Sequence, residues 1–286
     1  MMNEHYLETM KVIDGIDMGS KGVKRKCALF VMVQNENVFL PIWLKYYTKF
    51  FHADDLFVLD HRSEDGSVDR CAAKYSFRRI RLEYPFSFDH LWFRFVANAM
   101  QEKLLKYYEY VIFTDVDEII MPDPDYYSGL DEYIMKLKKK YVRCTGYELI
   151  NMKEKEKPYE SEKSVLSQRD YWYRTPFYDK TLISSQMLSW TIGFHRVKQI
   201  IKNHDKKLLL VHLHKLDYDL CWNKSLERSK LEWSQEELNA NRGWQNRITD
   251  PEKFNEYFYH WPKYVSLLRK IKIVKIPEKI KKTDIF

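Results

Sequence analysis

The sequence predicts an α/β fold: a mostly parallel central sheet flanked by helices, followed by a second, more variable half. Three stretches predict it. Cys27–Val33 is a continuous apolar run of strand length, the pattern of a strand buried on both faces. Leu56–Leu59 is a second short run that empties into the polar loop Asp60-His61-Arg62-Ser63-Glu64-Asp65-Gly66-Ser67. Tyr110–Ile120 reads as a further buried strand that runs into the carboxylates Asp115, Asp117 and Glu118. Acids at the carboxyl end of such a strand belong to a ligand crevice.

Residues 1–26 read as an N-terminal extension, broken by Gly15, Gly19 and Gly22. After the first strand, Asn35 is a candidate helix cap, and Val38–Phe51 has the apolar spacing of a helix covering the sheet, with Pro41 in its first turns. Phe77–Tyr84 is the next strand and Phe88–Tyr108 a long helix, with Leu91, Phe95, Ala99 and Leu104 near helical spacing. Strand, helix, strand and polar loop form a right-handed βαβ opening. Past Pro122 the pattern changes. Asp131–Tyr141 reads as a short helix, Val142–Ile150 as a strand and Lys153–Lys163 as a charged loop. Tyr171–Leu182 is aromatic-rich. Leu208–His214 is an apolar strand that places His212 and His214 on one face. Leu220–Ala240 reads as helix, and Lys270–Ile276 alternates lysine with isoleucine like an edge strand. The organisation expected is one domain over 27–260, whose pattern changes between 27–122 and 123–260, with a basic tail from 261 to 286.

Composition excludes several classes. The chain has 286 residues, 45% of them hydrophobic and 16% aromatic, with only 8 glycines and 9 prolines, which rules out a loop-dominated or low-complexity protein. The formal charge of +7 suits an anionic ligand, but the basic residues do not form a nucleic-acid motif. They collect at Lys136–Lys140 and Arg269–Lys282. The stretch from Tyr264 to Lys282 is the candidate contact for an anionic membrane surface. Cys27, Cys71, Cys144 and Cys221 show no CxxC spacing, so free thiols are expected rather than a zinc knuckle. Met1–Met18 lacks the apolar run of a signal peptide, and no stretch of 18 apolar residues occurs. The expected location is cytoplasmic.

On an extended chain Asp115 and Asp117 share a face, where two carboxylates repel unless a cation lies between them. A hard divalent ion, Mn²⁺ or Mg²⁺, suits oxygen ligands and keeps positions open for phosphate. His212 or His214 is a reasonable additional ligand, and Lys180 a point charge for phosphate.

The ordered set of Val33–Tyr47 (Val-Gln-Asn-Glu-Asn, then Leu-Pro-Ile-Trp-Leu-Lys-Tyr-Tyr), Asp60–Ser67 and Asp115-Val116-Asp117-Glu118 resembles the GT-A glycosyltransferases, in particular the family-2-like group. Two positions depart from that pattern: Tyr47 stands where the group often has His, and Ile119-Ile120 replaces Phe-Leu. The resemblance covers roughly residues 27–260 and implies a nucleotide-sugar half over 27–122 and an acceptor half over 123–260. It implies a Rossmann-like GT-A fold that binds a UDP-, GDP- or dTDP-sugar and transfers the sugar to a hydroxyl of a glycan or other acceptor, with inversion. It assigns Asp115 and Asp117 to the metal–diphosphate site and Asp60 and Asp65 to the nucleoside, with Asn35 on the donor side. Lys180, His195 and His212 match its later Lys, Gly-Phe-His and His positions. Glu118 joins His195 as a further site candidate. Asp179 is the first candidate base, with Asp170 and Glu148 as alternatives.

Two other classes compete. A strand followed by Asp-x-Asp also describes a haloacid-dehalogenase-type phosphatase, but there the pair opens the domain, and Ile119 stands here at the expected hydroxyl position. The other is a non-catalytic scaffold with a basic surface.

Overall fold

The computed structural model describes residues 4–20, 22–201, 204–264, 272–283 and 285–286. After α1 (Glu4–Asp14), the first half of the chain builds a parallel sheet. β1 (Arg25–Val33), β2 (Leu56–His61), β3 (Arg78–Leu82) and β4 (Tyr108–Phe113) lie in the order β3-β2-β1-β4, each parallel to its neighbour. The links between them are helical: α2 (Phe39–Tyr47), α3 (Ser67–Ala72) and α4 (His90–Leu105). Asp89 caps α4 by accepting the backbone N–H of Leu91 (3.0 Å) and Trp92 (3.1 Å). No such cap starts α2, so Asn35 is not the helix cap expected from its position.

β1 is buried on both faces, as its unbroken apolar run requires. Leu29, Val31 and Val33 pack into a core with Trp43, Tyr46 and Tyr47 of α2. Ala28 and Phe30 pack on the other face with Trp92, Val96 and Met100 of α4. The chain steps from β1 outward to β3, then returns to the far side of β1 for β4. That reversal leaves a crevice at the carboxyl ends of β1 and β4.

The stretch read as one strand from Tyr110 to Ile120 is two strands in two sheets. β4 stops at Phe113, Thr114–Asp117 turns, and β5 (Glu118–Pro122) enters a second sheet. The turn closes with Glu118 N–H on the Asp115 carbonyl (3.1 Å), so the two aspartates do not share a strand face. A matching switch occurs at Cys144. β6 (Tyr141–Arg143) belongs to the first sheet and β7 (Thr145–Ile150) to the second, although Val142–Ile150 reads as a single strand.

The first sheet is completed by β9 (Thr181–Ser184) antiparallel to β4, with β6 beyond it. The second runs β11-β8-β7-β10-β5, where β8 is Tyr171–Arg174, β10 Leu208–Lys215 and β11 Ile273–Lys275. Only β7 and β10 are parallel there. Around these lie α5 (Leu130–Met135), α6 (Val165–Gln168), α7 (Tyr218–Ser229), α8 (Gln235–Asn239), α9 (Pro251–Tyr264) and α10 (Glu278–Lys281). α5 ends before the lysine run, and the helix expected over Leu220–Ala240 breaks between α7 and α8. There Trp233 stacks on Phe88 (4.1 Å, 7°). Of the basic tail, residues 265–271 lie outside the described residues. β11 edges the second sheet, and Ile276, Ile280 and Phe286 are buried in the core. The four cysteines are unpaired and buried, and among the described residues no helix is long and apolar enough to cross a membrane.

Helix α2 holds the turn between the sheets by its polar tips. Trp43 Nε1 donates to Thr114 Oγ1 (2.8 Å), Tyr46 Oη to the Ile120 carbonyl (2.7 Å), and Tyr47 Oη accepts Ile120 N–H (2.8 Å). Tyr47→Phe strands that buried N–H, a loss worth about 1–3 kcal/mol. Urea unfolding will read it as a lowered midpoint at unchanged slope; an unchanged midpoint refutes the clamp.

Candidate active site

A cleft of about 330 Å³ opens at the carboxyl ends of β1 and β4, closed on its other side by β10 and α7. Its floor is the Thr114–Asp117 turn. Lys180, whose side chain is 2% exposed, lies beneath that turn with Nζ 2.7 Å from Asp115 Oδ2 and 2.6 Å from Glu118 Oε1. Glu118 Oε2 accepts the Asp115 N–H (3.2 Å). Burial pushes the Glu118 carboxyl up to about 7; Lys180 opposes the rise and Asp115 adds to it. Burial works against the Lys180 charge, but the two carboxylates outweigh it and raise its pKa above the ordinary value. Lys180 is therefore the turn's internal counter-ion, not the open phosphate ligand expected from the sequence.

Asp117 faces the other sheet. Its Oδ2 is 3.6 Å from both His212 Nε2 and His214 Nδ1, and its carbonyl accepts Leu213 N–H (2.7 Å). The alternation along β10 thus delivers both histidines to one carboxylate. His212 Nδ1 meets the Glu148 carboxylate at 2.9 and 3.0 Å, which fixes the ring and leaves Nε2 toward Asp117. The ring also stacks on Tyr178 (4.0 Å, 23°). Gly146 permits this, because a Cβ there would lie 2.3 Å from the Tyr178 carbonyl carbon. Burial disfavours charge throughout the cluster. Even so, Glu148 and Asp117 raise His212, and Cys221 and Asp117 raise His214 to about 10. The histidines and Lys224 hold Asp117 far below the usual carboxylate range against its own burial. Among the described residues no three His, Cys, Asp or Glu side chains form a complete metal-binding group.

His195 lines the cleft from a turn in which Gly193 (φ 77°) and Phe194 (φ 60°) are both left-handed. Phe194 anchors that turn on Phe113 (4.7 Å). His195 Nδ1 is 3.2 Å from the Phe177 carbonyl, which can only accept, so Nδ1 carries the proton and Nε2 a lone pair. His195 is exposed at the cleft, yet the neighbouring wall and the Lys180 charge push its pKa down.

The other expected residues divide. Asn35 (φ 53°) lines the cleft and ties two loops together, its Oδ1 accepting the N–H of Glu64 (2.9 Å) and Asp65 (3.3 Å). Asp60 does not reach the cleft. It is fully buried and held by Arg79 (2.6 Å), Arg81 (3.4 Å) and the Ser63 N–H (2.9 Å). Asp65 turns inward to Ser67, accepting its N–H (2.9 Å) and hydroxyl (2.6 Å) at the start of α3. Asp179 is engaged by Arg174 (2.7 Å) and Gly146 N–H (2.9 Å), and Asp170 by Lys281; neither lines the cleft. Glu148 is occupied by His212. The carboxylates expected as base are thus structural partners.

Sequence reasoning missed Glu36, Lys224, Glu227 and Arg228, all on the cleft wall. The buried Glu36 carboxylate is paired with Lys224 and Arg228 (3.2 Å) of α7. The available signal was the i, i+4 spacing of the two cations, which puts them on one helix face.

No protein-family model and no curated protein matches the chain. Among solved structures it is similar to glucosyl-3-phosphoglycerate synthase from Mycobacterium tuberculosis, in complex with Mg²⁺ and uridine diphosphate, at 17% identity over 42% of this chain and 40% of that one (TM-score 0.26). It is also similar to the Mn/GDP form of core-mannan synthase A from Aspergillus fumigatus, at 11% identity over 48% and 46% (TM-score 0.25). A third is S. aureus TarS 1-349, at 14% identity over 86% and 76% (TM-score 0.32). The chain thus spans less than half of the first two.

His61, at the end of β2 on the cleft wall, is buried with Nε2 3.3 Å from the Tyr84 carbonyl, and burial pushes its pKa down to about 4. Above pH 6.5 the ring is neutral in folded and unfolded chains alike. As pH falls from 6.5 toward 4, the unfolded chain takes up a proton that the folded ring refuses, so stability declines by up to ~3 kcal/mol. Unfolding free energies of the parent and His61→Phe, compared at pH 7 and pH 4, should diverge by about that amount in favour of the variant. A pH-independent difference would contradict it.

Proposed function

We propose that the protein is a glycosyltransferase that moves a sugar from a nucleotide-sugar donor to an acceptor hydroxyl with inversion, assisted by a divalent metal. One observation carries the reading. A turn at the switch between two sheets presents Asp115 and Asp117 to a cleft that is also lined by five histidines and by the cations Lys180, Lys224 and Arg228.

Asp117, His212 and His214 would hold Mn²⁺ or Mg²⁺, with donor phosphates completing the shell. What supports this choice is the donor set: a carboxylate 3.6 Å from two imidazoles, one of them oriented by a second carboxylate. When bound, the ion neutralises the charge that develops on the leaving diphosphate. Asp115, half out of the turn and tied by Lys180, faces the donor side. Asn35 and the backbone ends of β1 border the donor, and aromatic side chains such as Phe88 and Phe93 give the cleft an apolar wall. His195 Nε2 takes the proton from the acceptor hydroxyl as the hydroxyl oxygen attacks the anomeric carbon from the face opposite the leaving group.

Thermal shift of the purified chain with UDP-, GDP- and dTDP-sugars, with and without Mn²⁺, tests the reading. Stabilisation by one nucleotide class should require metal and vanish in Asp117→Asn. A folded protein indifferent to all three donors overturns it.

The base is tested separately. His195→Gln should lower turnover of the responding donor by roughly 10²–10⁴-fold while leaving donor affinity nearly unchanged. If Glu227→Gln loses more than His195→Gln, the base lies on α7 instead.

A further inference from the structure

We propose that Lys224 and Arg228 form the clamp that grips the donor's diphosphate, and that Glu36 occupies this anion site in the ligand-free protein. The inference rests on the glycosyltransferase reading for the identity of the ligand, and on the geometry of α7 for the site.

A diphosphate entering the cleft meets carboxylates first. Asp115 and Asp117 form its floor, and Lys180, the cation nearest Asp115, is buried between two acids. Beyond the metal ion that the glycosyltransferase reading calls for, α7 offers the phosphates two further cations. Lys224 and Arg228 are one helical turn apart on the face that lines the cleft, with side chains 20% and 19% exposed. Both heads are pre-set by neighbours. Lys224 Nζ lies over the Phe39 ring (4.7 Å), and Arg228 lies over the Phe88 ring (5.7 Å) while donating to Asn246 Oδ1 (2.8 Å).

Glu36 fills the space between them as an anion would. Its carboxylate is 5% exposed and divides its oxygens, Oε2 to Lys224 and Oε1 to Arg228 (3.2 Å). Two oxygens on two cations is also how a phosphate engages a lysine–arginine pair. The pair faces one carboxylate directly, with Asp117 as a further electrostatic neighbour of Lys224, and a diphosphate, more highly charged than a carboxylate, can compete with Glu36 for the two cations. Glu36 belongs to the loop after β1, beside Asn35 with its left-handed backbone. Its contacts with α7 span 188 and 192 residues of sequence. An entering diphosphate therefore exchanges an internal ion pair for an external one.

Isothermal titration of the full chain with UDP, GDP, dTDP and inorganic pyrophosphate, with and without Mn²⁺ at fixed ionic strength, tests the clamp. Lys224→Met and Arg228→Met should each weaken diphosphate binding roughly tenfold to a hundredfold, as loss of a charge-assisted contact predicts. Glu36→Gln should strengthen it several-fold by removing the competing charge. Should a variant fail to fold, the parent gives a second readout: pyrophosphate should slow acylation of Lys224 by acetic anhydride, followed by peptide mass spectrometry.

Nucleoside diphosphates that bind the parent and both methionine variants equally overturn the clamp and leave the glycosyltransferase reading intact. Pyrophosphate binding that depends on Lys224 and Arg228, with no nucleotide preferred, keeps the clamp and removes that reading. Absence of binding by any of the four, or weaker binding in Glu36→Gln, also overturns the clamp.

Discussion

The structure depends on a four-residue turn that must be held while the chain passes between sheets. Thr114–Asp117 leaves the first sheet at Phe113 and enters the second at Glu118. The turn carries two acids, and polar groups of the turn and of the strand just beyond it lie where water is excluded. Trp43 bonds the Thr114 hydroxyl, and Tyr46 and Tyr47 bond the backbone of Ile120. Lys180 supplies the missing charge from below. The buried aromatic helix and the buried lysine thus have one cause, the need to satisfy polar groups where water is excluded. The resemblance-based departure at Tyr47 acquires a role as well, since its hydroxyl bonds the first residues of β5.

The elements with an unambiguous period were legible. β1 is a continuous apolar run because both of its faces are covered, and α2 and α4 are marked by apolar spacing, whereas the short α3 was not anticipated. The sheet switches at Thr114 and Cys144 were not legible. Apolar residues flank each switch, and a strand that changes sheets has the same local pattern as one that continues. Much of the site was legible by residue type and not by role. Asp115, Asp117, His212 and His214 do converge, although on a turn and not on a shared strand face.

The misassigned acids share a cause. Asp60, Asp179 and Asp170 are each paired with a cation, Arg79 on the adjacent strand, Arg174 across a tight turn and Lys281 from the far end of the chain, while Asp65 is held by the N–H and hydroxyl of Ser67. Glu36 was invisible for the same reason. Its partners lie nearly 190 residues away. Sequence identifies an acid; whether that acid is free for chemistry depends on what the topology sets opposite it.

The two aspartates of the turn answer to different halves of the molecule. Asp115 is bound through Lys180 to the first sheet, just before β9; Asp117 is bound through Leu213 and faces histidines of β10 in the second. The gap between the carboxylates is therefore a gauge of how the sheets are aligned. A repacking of side chains deep between them, touching neither aspartate, would alter that gap, and distant core positions would tune the reactive centre as a lever tunes a caliper.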